Sequence, residues 1–210
     1  MKTLITLPLF FLSLVSFSSW SETLDDLVRR DGLYYKKFSD VPFTGEIKSQ
    51  TENGWIKAGE REGPWITYWD NGQLMSKGNY KSGKEDGLWV TYWQDGMLWW
   101  KGNYKNGTAD GFWVNFWDNG NLRWEGDHKN GTEDGTWAEY YENGQLMMKG
   151  EYKDGKEEGS WIWYFPNGQL MSKGDFKNGK REGLWVRYDE DGTFDEYSSG
   201  VYKDGVKISD

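Results

Sequence analysis

The sequence predicts an all-β protein: an elongated single-layer antiparallel β-meander of 24-residue hairpins, behind a short N-terminal signal helix. Three observations lead there. Glycines recur every 24 residues at Gly63, Gly87, Gly111, Gly135, Gly159 and Gly183. Two positions after each stands an indole: Trp65, Trp89, Trp113, Trp137, Trp161 and Trp185. A turn dipeptide, Asn-Gly or Asp-Gly, then follows at a fixed offset in all six units, from Asn71-Gly72 to Asp191-Gly192. Self-similarity at such a period marks a repeat array, in which one supersecondary unit is stacked on the next.

Each element of the unit has a reason. Asn-Gly and Asp-Gly tolerate positive φ at both central positions, as a two-residue type I′ hairpin requires. Centring the turn on Asn71-Gly72 sets Thr67 opposite Ser76, Ile66 opposite Lys77 and Trp65 opposite Gly78. That pairing accounts for a further unbroken column, Gly78, Gly102, Gly126, Gly150 and Gly174, because a glycine weakens a strand unless something bulky must lie across it. The link between units, such as Lys81–Gly87, is read as a longer polar loop. Two strands per unit give roughly 12 to 14 strands and a sheet about 60 Å long at the usual 4.8 Å strand spacing.

The segments outside the period divide the chain. Residues 1–21 hold one Lys, an apolar run from Leu4 to Phe17 and a small-residue pair, Ser19 and Ser21. This is the pattern of a secretory signal peptide cut after Ser21, and the run is shorter than the roughly 20 residues of a spanning helix. Residues 22–62 read as an N-terminal capping segment, 63–192 as the repeat array and 193–210 as a C-terminal cap. The expectation is an exported protein, periplasmic or secreted. With no Cys in the chain, a lipid-modified cysteine, disulfides and thiolate chemistry are excluded.

Lys and Arg number 25 against 34 Asp and Glu, a net charge of −9. An acidic protein repels phosphate backbones and anionic headgroups, so neither nucleic acid nor strong binding to an anionic membrane is expected. The sole histidine, His128, stands in the column of Tyr80, Tyr104, Tyr152 and Phe176 and reads as an aromatic substitute. The loop carboxylates Glu85-Asp86, Asp110, Glu133-Asp134 and Glu157-Glu158 are too few per loop for a calcium cage and read as solvated charge. No catalytic constellation, metal site or cofactor is expected, and the chain is read as a non-enzyme.

The string "KGNYKSGKEDGLW", Lys77 to Trp89, resembles the MORN motif, and the units are more closely similar to its bacterial variant. With "RDGLYYKKFSDVPFTGE" from Arg30 to Glu46 ahead of them, they resemble the YwqK-type, antitoxin-like family of toxin–antitoxin systems. The resemblance runs from Arg30 to about Gly205. It implies a repeated β-hairpin scaffold that contacts another molecule, usually a protein.

With the scaffold columns subtracted, Trp99, Trp100, Trp124 and Trp163 stand where other units place Met, Arg, Ser, Thr or Glu. Trp100 and Trp124 share a column in adjacent units, which places them on one face in mid-array. These four form the candidate contact patch, since exposed aromatics concentrate binding energy at interfaces. The competing account is that the aromatic face needs extra bulk where the sheet curves. The functional expectation is docking of an unidentified protein partner. The alternative is a carbohydrate or cell-wall binder that stacks sugar rings or choline-like groups on its Trp and Tyr rows. Open terminal strands also offer edges for self-association.

Overall fold

A computed structural model describes residues 21–210. Apart from Ser21, the expected signal segment lies outside the described residues. After a 3-10 turn at Leu24–Asp26, strands β1 (Leu27–Arg30) and β2 (Leu33–Lys36) form a separate hairpin. The hairpins then begin with β3 (Gly45–Lys48), β4 (Glu52–Lys57), β5 (Glu60–Tyr68) and β6 (Leu74–Lys81). They continue through the short β7 (Lys84–Glu85), β8 (Gly87–Tyr92), β9 (Leu98–Lys105), β10 (Thr108–Phe116), β11 (Leu122–Lys129) and β12 (Thr132–Tyr140). The array ends with β13 (Leu146–Lys153), β14 (Lys156–Tyr164), β15 (Leu170–Lys177), β16 (Lys180–Arg187), β17 (Gly200–Lys203) and β18 (Val206–Ser209).

Strands β3 to β18 make one antiparallel meander in chain order, with β7 on the flank of β6. It holds 16 strands, more than the repeat count gave, because β3–β4 and β17–β18 extend the sheet at both ends. At the usual strand spacing it is about 70 Å long.

The two turns of the unit exchange the roles expected of them. The links between units are the tight ones: Lys81 pairs Lys84 and Lys105 pairs Thr108 across two residues. Both central residues there have positive φ, 48° at Ser82 and 74° at Gly83. At the other end of the hairpin Gly72 has φ 81° while Asn71 does not enter the positive region. Trp69 N–H donates to Gln73 O and Gly72 N–H to Trp69 O, each at 2.8 Å, which closes a three-residue loop. The Asn71 carboxamide oxygen accepts from Gln73 N–H at 3.0 Å. The longer loop alone would slip the register by one. A bulge between Thr67 and Tyr68, with Met75 as the extra residue, restores it, so Thr67 faces Ser76 and Trp65 faces Gly78 as expected.

Register and coverage are separate matters. Trp65 faces Gly78 in the ladder of its own hairpin, yet the ring that a Cβ on Gly78 would strike belongs to Trp89. Likewise Gly54 lies under Trp65, Gly102 under Trp113, Gly126 under Trp137, Gly150 under Trp161 and Gly174 under Trp185. Each indole therefore covers the glycine of the preceding unit rather than that of its hairpin mate, which corrects the sequence expectation. The cause lies just ahead of each Trp. Gly111, for example, has φ 93° inside an irregularity between Ala109 and Trp113, and a bulge of this kind re-aims the side chain that follows it.

Trp65 and Trp161 are 1% exposed, so one layer buries large rings through contact between successive units. At the N-terminal end Leu27, Phe43, Ile47 and Ile56 join Trp65 and Trp89 in one buried cluster, with Leu24 and Tyr34 packed against it. Here β1–β2 folds over the first ladder ring, held by Tyr34 N–H to Gly59 O and Phe43 N–H to Tyr34 O.

Candidate functional site

One face of the sheet carries a continuous aromatic ladder. Each Trp alternates with the Tyr, His or Phe that follows the glycine column. Trp65–Tyr80, Tyr80–Trp89, Tyr104–Trp113, Tyr152–Trp161 and Phe176–Trp185 meet edge to face at 4.9–5.8 Å, the geometry that ring quadrupoles favour. The indole N–H groups complete the attachment. Trp89 donates to Asn79 O, Trp113 to Asn103 O, Trp161 to Glu151 O and Trp185 to Asp175 O, at 3.0–3.2 Å. Trp137 breaks the series by donating to Glu139 Oε1 at 3.0 Å, and Trp65 Nε1 has no partner among the described residues. These two rings present their six-membered edge to the glycine below.

Three of the four surplus indoles lie on this ladder. Trp100 stacks on Trp113 at 5.2 Å and 24°, Trp124 on Trp137 at 5.1 Å and 14°, and Trp163 on Trp161 at 5.7 Å and 22°. Pairing puts them in one cross-strand row: Thr91, Trp100, Asn115, Trp124, Glu139, Met148, Trp163, Ser172. The three indoles are half-buried, and Trp163 also approaches the next ladder ring, Trp185, at 5.6 Å.

Trp99 stands apart. It occupies the bulge position and stacks on the turn ring Trp93 at 4.5 Å, as Arg123 covers Trp117 at 4.5 Å one unit later.

The ladder face is acidic along its flank. Tyr80 O–H donates to Glu85 Oε1 at 3.1 Å and accepts from Arg61 at 3.1 Å. Burial pushes the Tyr152 phenol up to about 12, with Glu157, Glu133 and Glu139 adding to the shift. Burial also raises Tyr80 and, with Glu85, Tyr104. His128 sits edge-on to Trp113 at 5.8 Å and Trp137 at 5.7 Å, which makes it a rung of the ladder. Desolvation lowers its pKa, outweighing the opposite pull of Glu133 and Asp127. Among the described residues no group of three or more His, Cys, Asp or Glu gathers to hold a metal ion.

The family model described as MORN repeat variant matches residues 61–82, 85–106, 133–154 and 157–178. Four of the units are thus similar to the MORN repeat variant. The 24-residue offset between neighbouring matches is the one the glycine spacing gave, and the matches skip the stretch around His128. No curated protein matches the chain. Repeats of this type generally serve contact with proteins or membranes.

Sequence reasoning missed one variable column. Its members are apolar at Pro64, Leu88 and Phe112, small and polar at Thr136 and Ser160, and apolar again at Leu184. All lie on the face away from the ladder.

Proposed function

We propose that the protein is an exported, non-enzymatic scaffold that docks a protein partner on its aromatic face. The observation that carries this reading is the row of Trp100, Trp124 and Trp163, each held against the ladder by stacking and still half-exposed. A ring already held by stacking loses little rotamer freedom when a partner covers it, which favours binding at such positions. Export is supported by the charge and apolar pattern of residues 1–21, and anchoring through a lipidated cysteine is excluded by composition. The antitoxin-like role implied by resemblance to the YwqK-type group is a narrower form of the same reading, with a toxin protein as the partner.

The test is affinity capture from the exported fraction with purified mature protein, alongside a Trp100→Ala, Trp124→Ala variant. Loss of the captured partner in the variant, with its circular dichroism unchanged, is the expected result. Equal capture by both proteins would remove the row from the binding surface.

The same row also suits sugar rings, since flat, half-exposed indoles about 10 to 14 Å apart along the sheet can each stack one. A glycan array separates the two readings: saturable binding that disappears in the double variant favours the carbohydrate.

A further inference from the structure

The face opposite the ladder is not uniform. Along its edge nearest the inter-unit turns, Trp55, Leu88 and Phe112 are exposed by 46%, 52% and 46%. Pro64 lies in line with them, in register with Asn79, as Leu88 is with Asn103. The adjacent row reads Ile66, Lys77, Val90, Lys101, Val114. Both lysines are exposed and neither forms an ion pair with a described residue. The pattern is interrupted at β11, where Glu125 faces Val114 and Asp127 faces Phe112. Beyond it the inner row resumes as Ala138, Lys149, Ile162 and Lys173, but the outer column turns to Thr136 and Ser160 and is apolar again only at Leu184. Over β5 to β10 an otherwise acidic chain thus carries an exposed apolar column and a lysine row side by side on successive hairpins.

We propose that this patch docks an acidic polypeptide segment running across the strands, with its apolar side chains against Pro64, Leu88 and Phe112 and its carboxylates at Lys77 and Lys101. Spacing and charge both select that occupant. Successive members of each row are two strands apart, about 9.6 Å. A polyproline-type or extended chain advances about 9–10 Å in three residues. A segment with one apolar and one acidic residue in each triplet therefore meets both rows at their own pitch. A bilayer fits worse: the sheet twists by about 20° per strand, so a flat anionic surface that reached the lysines would also meet Glu125, Asp127 and the negative charge of the whole chain. This site is independent of the ladder row.

The test is fluorescence anisotropy of the full protein with a labelled peptide of repeated Leu-Glu-Pro triplets, in low and high salt. Repeats of Leu-Lys-Pro and Ser-Glu-Pro and vesicles of phosphatidylglycerol serve as the other arms. Saturable binding of Leu-Glu-Pro alone is expected, weakened about tenfold or more by Lys77→Glu with Lys101→Glu or by Leu88→Ser with Phe112→Ser. It should be unchanged by Trp100→Ala with Trp124→Ala. Exposed Lys77→Gln and Lys101→Gln give a milder pair if a harsher variant fails to fold, with the same direction expected. Absence of saturable binding, equal binding of the Leu-Lys-Pro peptide, or binding to the vesicles but not to Leu-Glu-Pro would each overturn the proposal.

Discussion

Trp89 lies over Gly78, the glycine of the preceding unit, although its own hairpin sets it opposite Gly102. Its indole N–H continues across that strand to Asn79 O at 3.2 Å. The Trp–Gly contact is thus a fastening between units rather than within one. Gly78→Ala should destabilise the protein by about 1–3 kcal/mol, because the added methyl enters a ring that cannot retreat. In a Trp89→Leu background much of that penalty should vanish, whereas Gly102→Ala, which meets Trp113, should keep its full effect. Denaturant unfolding of the two double-mutant cycles checks this. Equal coupling of Trp89 to both glycines would mean that the ring is shared.

The tight turns make a second prediction. Ala58 has φ 49° in the turn before β5, where the equivalent residues of later units are Ser82, Asn106, Asn130, Asp154 and Asn178. Alanine in this region is strained by about 1–2 kcal/mol, and Asn is accommodated there more readily. Ala58→Asn is therefore expected to raise stability by about 1 kcal/mol, read as a higher melting temperature. An unchanged or lower value would show that the turn is not under that strain.

A third prediction concerns the row of hairpin turns. Asn71 donates its side-chain N–H to Gln94 O at 3.0 Å, Asn119 to Glu142 O at 2.9 Å and Asn143 to Pro166 O at 3.0 Å, each tying one turn to the next. Asp95 keeps the local bond from Met97 N–H at 2.9 Å, but a carboxylate has no hydrogen to give. Asp95→Asn should add the missing tie towards Asp118 O, worth about 0.5–1.5 kcal/mol. Hydrogen exchange around residues 93–97 should slow, and faster exchange would contradict the prediction.

His128 gives a pH dependence. Desolvation among Trp113, Trp124 and Trp137 holds its pKa below the ordinary 6.5, against the pull of Glu133 and Asp127. Below about pH 6.5 the unfolded chain takes up a proton that the folded chain resists, so stability falls as pH drops from there through the folded value; above it the penalty is absent. His128→Tyr, which restores the residue type of Tyr80, Tyr104 and Tyr152, should gain on the parent progressively as pH falls below about 6.5 in urea unfolding, with a constant difference between the two above it. Parallel profiles would mean that His128 titrates alike in both states.

Much of the fold is legible in the residues. The Trp and Gly columns fix the period, the strand content and the facing of Trp65 and Gly78, because a glycine in a strand interior needs a large neighbour to explain it. The turn types were not legible. The same dipeptide occupies both loops, as Asn106-Gly107 and Asn119-Gly120 show. Only the number of residues left between paired partners separates a two-residue turn from a three-residue loop with a bulge. Of the contact patch, the column shared by Trp100 and Trp124 could be read directly, since identical offsets in adjacent units must stack. Trp99 could not be placed, because the bulge at its position breaks the alternation that would have assigned its face.

The sequence by itself determined a repeating ribbon of hairpins, its register and the side chains that fill it, since these depend on spacing along one chain. Which neighbouring unit each indole covers, and how lysines and apolar side chains from different hairpins line up on the far face, was decided by the tertiary structure. Bulges ahead of every Trp and the twist of the sheet turn side chains towards strands that the local pattern does not single out.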